Sequence, residues 1–224
     1  MGFALESKSW LLGRVLLRKE IYLSVFQYVL FLLLYITIDG ILNSMFSVSS
    51  EFYPYRDYSY ILEFIGIVVI LCILPTIRNH IKSTLKLSVL KGASTYIWLF
   101  LSLIMLFICR EFIFFLDFLF DEHFLALYEF GQRDETPVYL ISVILFVPIY
   151  EEIIYRGIIQ HGLTKRLGSL MGIILSSLLF GVIHGDYLVF GFIMGVAFGV
   201  VYHCKKSLFV SILLHILWNI IASF

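Results

Sequence analysis

Charged residues are scarce in this chain, and their scarcity excludes a soluble globular protein. Of the 224 residues only 14% are charged, whereas 61% are hydrophobic, and the mean hydropathy is +0.97. A soluble domain is about half apolar and about one quarter charged, and a domain of this size cannot bury so much apolar surface in one core. A disordered chain is also excluded, since disorder requires low hydrophobicity. The composition is that of a membrane protein.

Cysteine and proline are rare as well, with three and four residues. Cys72, Cys109 and Cys204 lie far apart and form no CxxC motif, so neither a zinc knuckle nor a disulfide framework is predicted. We expect them to be buried, unreactive thiols. There is no Pro-rich or Gly/Ser-rich linker. The formal net charge is +0, and no nucleic-acid partner is expected.

Seven apolar segments predict an all-α, polytopic membrane bundle of about seven transmembrane helices. The segments are approximately 21–38, 58–77, 94–116, 137–160, 169–185, 188–203 and 207–223. Arg110 and Glu111 interrupt the third segment, and they lie either near its outer end or at a bend before a re-entrant piece at 112–120. Residues 1–20 mix apolar and basic side chains, which predicts an amphipathic helix at the membrane surface and not a signal peptide.

The charges at the ends of these segments predict the topology. Basic residues cluster in 1–20 and in the second, fourth and sixth connections: Lys8, Arg14, Arg18, Lys19, Arg78, Lys82, Lys86, Lys91, Lys165, Arg166, Lys205 and Lys206. The alternate connections are acidic. Because positive residues in short loops stay in the cytoplasm, we predict a cytoplasmic N-terminus, seven spans and an outer C-terminus.

Three charged residues in the fourth segment cannot be assigned to a connection. Glu151 lies about 14 residues from the outer start of its segment, which is roughly 21 Å along a helix, and a charge at that depth costs at least about 2.5 kcal/mol. Glu152 and Arg156 have the i, i+4 spacing of a helical ion pair. Such a pair could simply fix helix register, but Glu151 is rotated by about 100° from Glu152 and needs another partner. By contrast, Glu63 is near the outer start of its segment, and we expect it to reach water.

Two later segments supply further polar side chains. His184 follows Phe180 by four residues, and His215 and Asn219 are also four residues apart. A buried glutamate near a histidine is suited to act as a general base on water, and two donors one helical turn apart suit a developing oxyanion. The other histidines are expected in loops or at cytoplasmic helix ends, in solvated or interfacial positions: His80, His123, His161 and His203.

Glycines repeat at every fourth position in the sixth segment, at Gly191, Gly195 and Gly199, and a second pair is Gly181 and Gly185. Small residues at this spacing let membrane helices pack closely. We therefore expect the last four helices to pack as one unit around the buried polar residues.

Three motifs occur in order: EEIIYRG at 151–157, FGVIH at 180–184 and HILWN at 215–219. Together they resemble EExxxR, FxxxH and HxxxN of the CAAX protease and bacteriocin-processing family of intramembrane endopeptidases, also called the Abi family. The resemblance covers roughly 137–220. It implies an all-α bundle with a water-accessible cavity, and it divides the chain into a surface segment 1–20, helices and loops at 21–136, and a catalytic core at 137–224.

The resemblance also implies roles for individual residues. Glu151 is the expected catalytic base, acting on water with His184, while His215 and Asn219 form the expected oxyanion hole. Glu152 and Arg156 are expected to support the site. This mechanism requires neither a metal nor another cofactor.

The residues alone indicate only a buried Glu/His site for hydrolysis or proton handling. The same side chains could bind zinc, although no HExxH motif is present and Arg156 would oppose a cation. A non-catalytic bacteriocin-immunity or membrane-binding protein, and a transporter, remain alternatives. As substrate we expect a membrane-associated peptide: a bacteriocin, a pheromone, a leader peptide or a CAAX-type C-terminus, in the lipid bilayer of a bacterial cell membrane.

Overall fold

The computed structural model describes residues 25–46, 53–120 and 136–223, and within these ranges it contains helices and no strand. The helices are α1 Val25–Phe46, α2 Ser59–Ile73, α3 Pro75–Thr84, α4 Ala93–Phe120, α5 Pro137–Leu167, α6 Ser169–Ile183, α7 Leu188–Lys205 and α8 Leu208–Ser223. Short 3-10 helices lie at Tyr53–Tyr58, Leu87–Lys91 and Gly185–Tyr187. The predicted surface helix at 1–20 and His123 fall outside the described residues.

The helices have the lengths and composition of an integral membrane protein. α1, α4, α5 and α7 are long and apolar enough to cross a bilayer, and α2 with α3 passes the same test as a bent pair. α6 and α8 are apolar but shorter, at 15 and 16 residues. Many large apolar side chains face outward, among them Phe100 and Phe118, as a lipid-facing surface requires. The predicted all-α membrane bundle is confirmed.

The second predicted span is not one continuous helix. The helical segments Tyr55–Ile73 and Pro75–Lys91 meet at 110°, because Pro75 has no N–H to continue the helix and instead occupies the first turn of α3. α3 packs against α5, where His80 Nε2 lies 3.0 Å from the Gly157 carbonyl oxygen. The assignment of His80 to a loop is therefore wrong.

Of the two alternatives for Arg110 and Glu111, the bend is excluded, because α4 runs without a break through both residues and there is no re-entrant piece at 112–120. The expectation of buried cysteines is wrong. Cys72 and Cys204 are exposed and Cys109 is partly buried, since they lie on outward surfaces of the bundle and not in its core.

Close packing of α6 on α7 follows from the glycine spacing. A Cβ added at Gly195 would lie 2.9 Å from Ser177 Cα, and one added at Gly181 would lie 2.7 Å from the Leu188 carbonyl oxygen. Larger residues at either position would push backbone against backbone. The glycines therefore bring the helix that carries His184 close to α7 and hold the core of the bundle together.

The bundle has two distinct ends. At one end Lys205 Nζ donates to Ser94 Oγ at 2.7 Å, and Ser207 Oγ donates to the Lys86 carbonyl at 3.0 Å. At the opposite end Thr136 Oγ1 donates to Asp57 Oδ2 at 2.6 Å and also caps the first turn of α5. These bonds fix which helix ends lie together.

Candidate active site

The helix α5, which carries Glu151 and Glu152, departs from α-helical geometry on both sides of this pair. Residues Ser142–Phe146 and Ile153–Gln160 form π-helical turns around the α-helical stretch Val147–Glu152. Such turns are rare in proteins, and those that occur are frequently found at functional sites. Here they change the direction of the side chains relative to a regular helix, and the glutamates lie between the two turns.

Pro148 explains one of the contacts at this distortion. In the π turn the Val147 N–H donates to the Ser142 carbonyl, so the next N–H in the same register would donate to Val143. Pro148 has no N–H, and Asn219 Nδ2 donates to the Val143 carbonyl instead, at 2.8 Å. The proline thus frees a backbone carbonyl that positions the Asn219 amide from α8.

Glu152 is fully buried and has three polar partners. Its carboxylate lies 3.3 Å from Arg156 Nε, accepts a hydrogen bond of 2.5 Å from Ser211 Oγ, and lies 3.2 Å from His215 Nδ1. The guanidinium of Arg156 also lies 4.9 Å from the ring centre of Phe180. We call Glu152, Arg156 and Ser211 the closed cluster, because all three are fully buried.

Glu151 has a different environment from its neighbour. The residue remains 8% exposed, and its Oε2 lies 3.8 Å from His215 Nε2, too far for a direct hydrogen bond. That oxygen has no hydrogen-bond partner among the described residues. His215 therefore lies between the two carboxylates, with one ring nitrogen toward each, and Glu151 retains an oxygen that can accept a proton.

His184 is positioned by the end of α6. Its Nδ1 lies 2.7 Å from the Phe180 carbonyl oxygen, and because a carbonyl can only accept, Nδ1 carries the hydrogen. The ring also packs against Phe180, with 4.3 Å between ring centres. Nε2 is therefore the ring nitrogen of His184 that can accept a proton or a hydrogen bond.

A cavity of about 670 Å³ joins these residues. Its lining includes four predicted site residues, which we call the cavity wall: Glu151, His184, His215 and Asn219. The two other predicted residues, Glu152 and Arg156, are fully buried behind it and do not line the cavity. The volume is within the range of ordinary ligand sites, about 300–1,000 Å³. Of the six residues predicted from the three motifs, four therefore line the cavity and two lie behind it.

Sequence reasoning did not identify several polar residues of this region. Ser211 precedes His215 by one helical turn, and that spacing was a usable signal. Arg110 also lines the cavity, although α4 lies outside the three motifs. Glu63, which we expected to reach water, is buried and hydrogen-bonded to Tyr150, so that expectation is wrong.

A metal ion at this site would need several protein ligands, and a catalytic zinc ion has three. Within 25–46, 53–120 and 136–223, no group of three or more His, Cys, Asp or Glu side chains is arranged to hold one. His215 lies near both glutamates, and one of them, Glu152, is paired with the cation of Arg156.

The segment that builds this site is similar to known proteins. Residues 133–221 match the family model described as "Rce1-like: Type II CAAX prenyl endopeptidase Rce1-like". The "Putative membrane peptidase YdiL" of Bacillus subtilis (strain 168) is 33% identical over 86 residues, or 38% of this chain and 35% of that relative. The chain therefore spans about a third of the length of this curated relative. No solved structure matches. Every predicted site residue lies within 133–221.

Proposed function

Because residues 133–221 match the model of the Rce1-like family of type II CAAX prenyl endopeptidases, we propose that this protein is an intramembrane peptidase of the glutamate type. Its substrate is a membrane-associated peptide, and residues 137–224 form its catalytic core on a scaffold of helices from 21–136. The protein resides in a bacterial cell membrane with its N-terminus in the cytoplasm. The observation that carries the proposal is the Glu151 carboxylate, since Glu151 lines the cavity and its buried Oε2 has no hydrogen-bond partner among the described residues.

In the proposed reaction Glu151 removes a proton from water while the water oxygen attacks the carbonyl carbon of the scissile peptide bond. His184 Nε2 accepts a hydrogen bond from the same water and orients it. The carbonyl oxygen becomes an oxyanion in a tetrahedral intermediate. The C–N bond then breaks, the proton held by Glu151 passes to the leaving amine, and the carboxylic acid product gives its own proton to that amine, so that the final products are a carboxylate and an ammonium group. No covalent bond to the enzyme forms.

His215 and Asn219 stabilise the oxyanion in this proposal. The Asn219 amide has two N–H groups, and one is held by the Val143 carbonyl, so the second is directed by a fixed side chain. His215 Nδ1 faces the Glu152 carboxylate, which orients the ring so that Nε2 lies on the side of Glu151 and the cavity. Arg156 in turn balances Glu152, so the closed cluster orients His215 without contacting the substrate.

Purified protein in liposomes tests this proposal. A library of hydrophobic peptides, supplemented with a farnesylated C-terminal peptide, is incubated with wild type, with Glu151→Gln and with the control Glu111→Gln, and products are identified by mass spectrometry. We expect the wild type and the control to cut the same peptides and Glu151→Gln to cut none. Equal cleavage by Glu151→Gln and wild type, or cleavage by none of the three, would overturn the proposal.

A chelator arm addresses the zinc alternative. Cleavage that persists in chelator supports water activation by Glu151 and His184, whereas loss in chelator with recovery on adding zinc would replace that mechanism. For a non-catalytic immunity protein, Glu151→Gln and His184→Ala would both retain the cellular function.

A further inference from the structure

The lysines and arginines of the described residues are concentrated at one end of the bundle. Eleven are present, and eight of them lie on the connections α2–α4, α5–α6 and α7–α8: Arg78, Lys82, Lys86, Lys91, Lys165, Arg166, Lys205 and Lys206. Hydrogen bonds from Lys205 to Ser94 and from Ser207 to the Lys86 carbonyl join two of these connections. This basic end is therefore one surface of the folded protein and not only a pattern in the sequence.

The cavity lies toward the other end of the bundle. Its lining comes from the first turns of α2 and α5, the turn between α6 and α7, and the last turns of α8, for example at Tyr60, Tyr139, Gly185 and Ser223. Glu151 and His215 lie farther from those helix ends and form the inner part of the lining. Among the lining residues none belongs to the three basic connections. The cavity thus occupies the half of the bundle opposite the basic end.

Membrane proteins retain short loops rich in lysine and arginine in the cytoplasm. Applied to this arrangement, we propose that the cavity opens at the non-cytoplasmic face and takes a hydrophobic peptide presented from that face. A lipidated C-terminus displayed at the cytoplasmic face would meet the basic end of the bundle, and no residue of the three basic connections lines the cavity. This inference rests on the proposed function for the identity of the substrate, but the direction of the opening rests on charge and geometry alone.

The depth of Glu151 adds a constraint on the substrate. Fourteen residues of α5 separate Pro137 from Glu151, which is about 21 Å along the helix axis. An extended peptide covers that distance with about six residues. The cleaved bond therefore lies about six residues from the point at which the peptide passes the helix ends.

Cysteine labelling tests the direction of the opening without any need for activity. Gly185 lies at the mouth, is exposed, and has nothing within 4 Å of an added Cβ, while the native Cys204 is exposed at the basic end. One variant carries Cys72→Ser and Cys109→Ser and so retains only Cys204. The other also carries Cys204→Ser and Gly185→Cys. Both are treated with a membrane-impermeant maleimide, in intact cells and after permeabilisation.

We expect the thiol introduced by Gly185→Cys to be labelled in intact cells and Cys204 only after permeabilisation. The reverse pattern would overturn the inference. As a second readout, alkaline phosphatase fused after residue 224 is expected to be active and a green fluorescent protein fusion to be dark, and the opposite result would also overturn it.

A final arm separates this inference from the proposed function. The fluorogenic form of a library peptide cut by the wild type is added to right-side-out and inside-out vesicles, and we expect cleavage only in the former. Cleavage only in inside-out vesicles contradicts the direction of the opening and leaves the peptidase intact. A protein that cuts nothing but labels as expected contradicts the peptidase and supports the direction.

Discussion

The cavity wall and the closed cluster lie side by side in the bundle, and they treat two adjacent glutamates in opposite ways. In the closed cluster Glu152 is fully buried and contacts Arg156, Ser211 and His215. On the cavity wall Glu151 lines the cavity, and its Oε2 lies 3.8 Å from His215 Nε2 and has no hydrogen-bond partner among the described residues. A buried carboxylate whose oxygens are both paired stabilises the structure. A carboxylate that lines a cavity and has an oxygen without a hydrogen-bond partner among the described residues is available for chemistry.

Removal of the Glu151 carboxylate should show the difference between the cavity wall and the closed cluster most strongly, because it should affect the rate far more than the stability. A general base contributes about 10²–10⁴ to a rate, so we expect Glu151→Gln to lower kcat/KM by about 10³-fold. Its stability should stay close to wild type, since no ion pair to an arginine is lost. Steady-state cleavage and thermal unfolding in detergent measure the two quantities, with Glu111→Gln as the control. A large loss of stability with little loss of rate would reverse the comparison.

The closed cluster should show the opposite balance when its carboxylate is neutralised. Glu152→Gln leaves the buried Arg156 cation without its counter-ion, and breaking a buried pair costs about 3–5 kcal/mol. We expect the free energy of unfolding to fall by about that amount, with a secondary loss of activity through His215. Unfolding in mixed micelles measures the effect.

A double variant sharpens this second prediction. Glu152→Leu with Arg156→Met removes both charges, and replacing a buried pair by apolar residues is often neutral or stabilising. Recovery of stability without recovery of activity is expected. If the double variant is less stable than Glu152→Gln, the pair is not the source of the effect.

Asn219→Ala tests the oxyanion assignment on the cavity wall. Loss of one oxyanion donor typically costs about 10²–10³ in kcat, and we expect about 10²-fold here, with KM little changed. The control is Asn79→Ala on the exposed side of α3. A rise in KM at constant kcat would instead assign Asn219 to substrate binding.

The smallest effect is expected at Ser211. Ser211→Ala removes a hydrogen bond to Glu152, which is worth about 1.5–3 kcal/mol when the partner is charged, but Arg156 and His215 remain. We expect a stability loss toward the lower end of that range. The rate should stay within about tenfold of wild type, because Ser211 contacts Glu152 and not the substrate, and no donor to the oxyanion is removed. Ser176→Ala, which removes a bond to its own helix, is the control. A loss as large as that of Asn219→Ala would place Ser211 in the reaction itself.

Much of the fold follows from the position of apolar residues along the chain. Each predicted span has a helical counterpart, and α5 begins with Pro137 as expected because Thr136 caps a proline-initiated turn. The bend at Pro75 was not predicted, although the proline was visible, because the apolar run continues on both sides of it. Apolar character sets how long a helix can be, but the proline sets its direction.

The site was predictable only within each helix. The i, i+4 spacing correctly paired Glu152 with Arg156, because that pair depends on helical geometry alone. The difference between Glu151 and Glu152 depends on α8, which carries both Ser211 and His215 across from α5, and packing between distant segments cannot be read from spacing. The contact of Asn219 with Val143 likewise depends on the π turn Ser142–Phe146 that precedes Pro148, and on the packing of α8 against it.

The most direct test of the central claim, that Glu151 activates water for peptide cleavage, is a comparison of the peptides in membranes and culture medium of cells that make wild-type protein or Glu151→Gln at equal levels. We predict that specific peptides present with wild type are lost with Glu151→Gln, and that their uncut precursors accumulate. An unchanged peptide profile in the two strains would contradict it.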